Sequence, residues 1–138
     1  MIQTRLNGAG KALLRAPNIA HIATVGLRAA PHVTPVWIDF EGEDVIFNTA
    51  EGRQKVQNLR RNPAVTVSVL DPADPWKVLV VQGRAVEITS EGADDHINEL
   101  AKKYLNLQSY PFRQPGEQRL KVRIRPQRLL MQPPEEAA

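Results

Sequence analysis

Two cations open a helix in this chain where helices usually avoid them. The segment Asn48-Thr49-Ala50-Glu51-Gly52-Arg53-Gln54-Lys55-Val56-Gln57-Asn58-Leu59-Arg60-Arg61 reads as a strand end, a glycine turn and a short basic helix. Arg53 and Lys55 fall in its first turn, where the backbone dipole is already positive. An anion between them removes that penalty: free backbone N–H groups and two cationic side chains together make a phosphate site. A solvated basic helix face is the competing reading. Residue type and spacing leave both open.

Other chemistry is sparse. Cysteine is absent, which excludes disulfides, Cys-based zinc, iron–sulfur clusters and a cysteine nucleophile. Three histidines occur, His21, His32 and His96, with no metal-ligand spacing such as HExxH. No GxGxxG follows a strand, and neither GxxxxGK[ST] nor GxSxG occurs, which disfavours common NAD, ATP and serine-hydrolase chemistry. His21 reads as structural, His32 as a surface imidazole opening a strand, and His96 as lying on the polar side of a helix. The residues single out no catalytic acid or base and no metal ligand.

The elements that must position the basic segment are mostly strands. Residues 19–27 are β-rich, residues 32–40 alternate, and Asp44–Thr49 returns after the hairpin signal Glu41-Gly42-Glu43. Pro35 places its strand at an edge or bulge. Turns this short leave no room for crossover helices, so the first three strands form an antiparallel meander. Ala64–Leu70 alternates, and the stiff turn Asp71–Pro75 leads into a long strand, Trp76–Ile88, bent at Gly83. Helices are expected over residues 4–15, 52–61 and about 91–106, the last capped by Ser90 with Ile97, Leu100 and Tyr104 facing inward as structural packing. Residues 106–117 read as a loop, and the tail after about 131 as frayed. Leu120, Val122 and Ile124 then alternate with Arg119, Lys121, Arg123 and Arg125. That basic stripe reads as a solvated strand face, with an anionic partner such as nucleic acid as the weaker alternative.

With 138 residues the chain has room for one domain, 1–138, and its 42% hydrophobic and 24% charged content is ordinary. Lys plus Arg is 18 and Asp plus Glu is 15, a mild net charge of +3. No apolar run reaches the ~20 residues of a membrane span, and a cytoplasmic protein is the default. About six antiparallel strands in so short a chain suggest a small barrel. Val78-Leu79-Val80-Val81 is apolar on both faces, so a helix or a second subunit must cover its outer side.

The run HVTPVWIDF, its hairpin, NTAEGRQKVQNLRRNPAVTVSVLD and PWKVLVVQGRAVEI together resemble the split-barrel flavin-binding group related to pyridoxamine 5′-phosphate oxidase. The pattern GRxKxxNLRRxPxVxVxVxD is most similar to the branch using the deazaflavin coenzyme F420, over about residues 13–130. The resemblance implies a mainly β, α+β chain: a six-stranded antiparallel split β-barrel with flanking helices, of the FMN-binding split-barrel type. It implies a homodimer with cofactor sites at the interface and an F420-dependent oxidoreductase acting on a small electron-poor substrate. FMN as cofactor, or a non-enzymatic F420 carrier, are the alternatives. The phosphate would meet Arg53, Lys55 and Asn58, near the backbone of Asn48, Thr49 and Ala50. The ring would lie against Thr34, Pro35, Val36 and Trp37. Trp76 is expected either as a pocket wall, in its own subunit or the partner's, or on the dimer seam.

Overall fold

Alternation in the sequence becomes the wall of a barrel. Strands β1 (Ile19–Val25), β2 (Pro31–Glu41) and β3 (Asp44–Ala50) follow one another through short turns, and β4 (Ala64–Asp71), β5 (Asp74–Thr89) and β6 (Arg119–Gln132) complete the set. They close antiparallel in the order β1-β2-β3-β6-β5-β4. The computed structural model describes residues 3–133, in which α1 (Gly8–Arg15), α2 (Gln54–Arg61) and α3 (Ala93–Leu105) flank this split barrel. Inside, Ile22, Ile38, Val45, Phe47, Val67, Val69, Leu79, Val81, Val122 and Ile124 form one buried cluster, joined by Leu6, Leu13 and Leu14 from the N-terminal segment.

Local chemistry shifts several boundaries. α1 starts at Gly8 rather than residue 4, because the Asn7 side chain accepts the Gly10 N–H at 2.7 Å and caps the helix there. α3 starts at Ala93, not at 91. Ser90 is not its cap; Gly92 fills that position in a left-handed conformation (φ 73°), with Asp94 and Asp95 in the first turn complementing the dipole. β6 runs well past residue 125, and Met131 and Gln132 still pair with Leu79 and Val78. Of the tail expected to fray, residues 134–138 lie outside the described residues. The bend at Gly83 is present as a register shift against β6, opposite Pro126. A Cβ on Gly83 would meet the Arg125 carbonyl oxygen at 2.3 Å, so only glycine lets the strands approach this closely.

The barrel is split between β2 and β3. These strands pair only over Ile38–Glu41 and Asp44–Phe47. Beyond that point β2 continues along β1, through Trp37 down to Pro31, while β3 continues along β6 to Ala50. Residues 31–37 and 48–50 therefore diverge, each left with a strand on one side only.

α3 closes the other side of β2. β1 begins opposite Trp37, so the Ile38 backbone has no strand partner on the β1 side. Tyr104 Oη accepts the Ile38 N–H at 3.0 Å and donates to Asn18 O at 2.5 Å. Lys103 Nζ donates to Ile38 O at 2.6 Å and Leu14 O at 2.5 Å. Burial pushes the Lys103 ammonium down to about 8, with Asp39 opposing, and pushes the Tyr104 hydroxyl up to about 12. A lysine depressed in the fold adds stability that is complete above its unfolded value and lost as pH falls through about 8. The Tyr104 contribution is complete below pH ~10, so it stays constant over that window. Thermal melts between pH 7.5 and 9.5 should therefore show a gain of about 1 kcal/mol after solvent screening. Lys103→Met should abolish this gain; a gain of equal size in the variant would assign it to other groups.

Candidate functional site

The divergence of β2 and β3 opens a cleft of about 340 Å³. Pro35, Val36 and Trp37 form one wall, and Asn48, Thr49 and Ala50 the other. Arg53 and Lys55 stand at its end, where Gly52 (φ 93°) makes the left-handed turn that starts α2. Arg53 is the N-cap residue and supplies no side-chain cap, so first-turn N–H groups of α2 remain available to an acceptor. Arg119, the first residue of β6, pairs with Ala50 and brings a third cation to the cleft.

These charges are crowded. Burial, and then the Arg53 and Arg119 charges, hold the Lys55 ammonium below its ordinary range. Neither Arg53 nor Lys55 forms an ion pair among the described residues. Arg119 is 6% exposed; its Nη1 meets Glu117 Oε1 at 2.6 Å and its Nε donates to Asn48 Oδ1 at 2.9 Å. Burial pushes the Glu117 carboxyl up, but Arg119, the Gln114 N–H and the Arg53 charge outweigh it and leave it below its ordinary value. Glu117 is thus committed to Arg119, and Arg53 and Lys55 have no ion-pair partner among the described residues, an arrangement that favours an incoming anion.

Much of the remaining lining is aromatic and aliphatic. Trp37 stacks on Tyr104 with centroids 5.2 Å apart and planes 6° from parallel, and Tyr110 meets it edge-on at 5.9 Å. Arg119 lies over the Tyr110 ring at 5.0 Å. Ile19 of β1, Ile97 and Leu100 of α3 and Phe112 of the 106–117 loop complete the lining.

Of the expected ligand contacts, Thr34, Asn58 and Trp76 do not line this cleft. The Thr34 hydroxyl is buried without a partner. Asn58 is wholly buried and clamps α2 to β1: its Nδ2 donates to Thr24 Oγ1 at 3.0 Å, while its Oδ1 accepts from Gln54 and Arg61. Trp76 is 84% exposed near the β4–β5 turn. Arg119, Ile19, Ile97, Leu100, Tyr110 and Phe112 line it without standing out in the sequence as site residues. The α3 stripe is thus both packing and cleft floor, not structural alone.

The histidines and the basic stripe also lie in surroundings that differ from those expected of the sequence. His21 is exposed on the outer face of β1, and the His32 ring is half-buried with its Nδ1 unpartnered. His96 is 3% exposed, packed inward rather than on a polar face. The stripe is paired, not a free solvated face: Lys121 meets Glu41 at 2.5 Å, and Arg123 bridges Glu41 at 2.5 Å and Asp44 at 3.2 Å. That pairing removes the argument for a nucleic-acid surface. Among the described residues no cluster of three metal-ligating side chains occurs, and no helix is long and apolar enough to cross a membrane.

A six-stranded split barrel with an anion-ready cleft between β2 and β3 defines a class. The chain belongs to the pyridoxamine 5′-phosphate oxidase family, whose sequence profile matches residues 6–132. Among solved structures it is similar to a protein named F420 reductase. The two are 30% identical, the match covers 87% of this chain and 94% of that one, and the TM-score is 0.76. A conserved hypothetical protein from Mycobacterium tuberculosis (21% identity, 96% and 92% covered, TM-score 0.71) shares the fold. So does general stress protein 26 from Bacillus anthracis (20% identity, 90% and 91% covered, TM-score 0.67).

Proposed function

We propose that this protein is an F420-dependent oxidoreductase that transfers hydride between the deazaflavin and a small electron-poor substrate. The observation that carries the reading is the convergence of Arg53, Lys55 and Arg119 on one cleft whose other lining includes Trp37, Tyr110, Phe112, Ile97 and Leu100. Its support from relatives is the 30% identity to the F420 reductase.

The residues present fit a phosphate-bearing planar heterocycle. The cations and the α2 N-terminus hold the phosphate. The strand stretches 35–37 and 48–50, each paired on one side only, offer backbone polar groups to the polar edge of a ring. Trp37, Tyr110 and Phe112 with Ile97 and Leu100 exclude water from its face. When bound, the deazaflavin supplies the hydride; the protein contributes position and a dry surface. The ionisable groups of the lining are Arg53, Lys55, Tyr110 and Arg119, with no carboxylate or imidazole among them. The reading therefore assigns no side-chain acid or base. Reduced F420 should be oxidised by a quinone or activated alkene only when the protein is present. Tight binding without any turnover would instead favour a carrier.

The same reading places two cofactor sites in a homodimer. On the outer face, Leu70 lies beside Val78, and Val80 beside Leu130, with Leu70 and Leu130 42% and 54% exposed. Trp76 alternates onto the face of Val78 and Val80, so a partner would cover it. Sedimentation equilibrium should return twice the 15.4 kDa chain mass. A monomer at every concentration would remove the interface from this account.

A further inference from the structure

His96 is buried on the side of α3 that faces the sheet, and nothing in the hydride-transfer reading uses it. Its surroundings are specific. Asn48 Oδ1 accepts from Arg119 Nε at 2.9 Å, so the amide nitrogen must point the other way. There it donates one hydrogen to Ala93 O at 2.9 Å and the other towards His96 Nδ1 at 3.2 Å. A ring nitrogen that accepts carries no proton, so the imidazole proton sits on Nε2. That nitrogen faces Asp39 Oδ2 at 3.5 Å. Asp39 is in turn held in place by the Phe40 N–H at 2.8 Å. The row runs from Asp39 on β2 past His96 on α3 and Asn48 on β3 to Arg119 on β6; it is hydrogen-bonded from His96 Nδ1 to Arg119, while the buried His96 Nε2 only approaches Asp39 and makes no hydrogen bond.

We propose that His96 is a positioning residue for the cleft: its Nδ1 fixes the Asn48 amide, and Asn48 fixes the Arg119 guanidinium on the cleft wall. With the opposite tautomer, the Nδ1–H would face the Asn48 NH2. The amide would then be driven to flip and turn that NH2 against Arg119 Nε. Glu117 holds the Nη1 end of the guanidinium, and the hold on its Nε edge therefore depends on a ring that does not line the cleft. The consequence for cofactor affinity rests on the F420 reading, whereas the hydrogen-bond chain itself does not.

The two are separable by experiment. In ¹⁵N-labelled protein without cofactor, the His96 ring should show the Nε2–H tautomer and Arg119 a slowly exchanging Nε–H signal. The Nδ1–H tautomer in the wild type would overturn the proposal without any variant. His96→Leu removes the acceptor and should make the Arg119 signal exchange fast. His96→Asn places an acceptor where Nδ1 stood and should restore it. F420 titration should follow the same order, with His96→Leu weakened about tenfold, the scale of one loosened charge-assisted hydrogen bond, and His96→Asn close to wild type. A folded His96→Leu that keeps both the Arg119 signal and wild-type affinity would also overturn it. If the wild type binds no F420, the cofactor reading fails, and the Arg119 and His96 signals still decide the positioning role.

Discussion

Replacing Arg53 and Lys55 together by alanine should weaken F420 binding by about 10²- to 10⁴-fold and leave the fold at least as stable. A hydrogen bond to a charged group contributes roughly 1.5–3 kcal/mol, and two give about two to four decades at 1.4 kcal/mol per tenfold. The two residues would share one anion, so their effects couple and the upper figure is a ceiling. The stability half of the result follows from Lys55. Burial and the charges of Arg53 and Arg119 depress its ammonium, so the fold carries that charge at a cost at neutral pH. Both cations also sit at a helix end whose dipole opposes them. Isothermal titration beside a thermal melt reads both quantities. Unchanged affinity in the double variant would reduce α2 to a solvated basic face. Lost affinity with a large drop in melting temperature would point to a structural role instead.

Ile97→Ala should have a different signature, with affinity and stability both falling. Ile97 is 3% exposed on α3 and also lines the cleft floor. Truncating a buried isoleucine to alanine costs roughly 2–5 kcal/mol, depending on how far the site collapses. At about 3–5 °C per kcal/mol for a domain of this size, the melting temperature should drop by about 6–25 °C. The vacated volume opens beside the ring-binding surface, so cofactor affinity should weaken as well. A variant that melts early yet binds as the wild type would return Ile97 to packing alone.

These two substitutions also mark what the sequence makes legible. Strand alternation such as Val65, Val67 and Val69 encodes the barrel wall directly, because a period of two in a strand fixes the buried face. Gly83 announces its bend because a close backbone approach tolerates no side chain. Arg53 and Lys55 stand out because they oppose the local dipole. Arg119 does not stand out. Along β6 it looks like the first of four equivalent cations, and only the pairing of β6 with β3 sets it beside Asn48 and the cleft. The neutralisation of Lys121 and Arg123 depends equally on a distant hairpin, whose Glu41 and Asp44 come alongside β6 only once the barrel closes. Asn58 follows the same logic. Its place in the basic segment suggests a ligand contact, while the burial of α2 against β1 commits its amide to Thr24. Tyr110 and Phe112 sit in a loop without periodicity, so the approach of Tyr110 to Trp37, and of Phe112 to Tyr110, has no local signal. Side chains whose role is set by their own strand or helix are readable, and those recruited by a non-sequential neighbour are not.

Cofactor identity is the most direct test of the whole account. Purified protein should be incubated with F420 and, in a parallel sample, with FMN, then passed through gel filtration and its absorbance spectrum recorded. The deazaflavin spectrum should travel with the protein, and FMN should be left behind. Retention of FMN and loss of F420 would contradict the deazaflavin assignment, and retention of neither would contradict the reading of the β2–β3 cleft as a cofactor site.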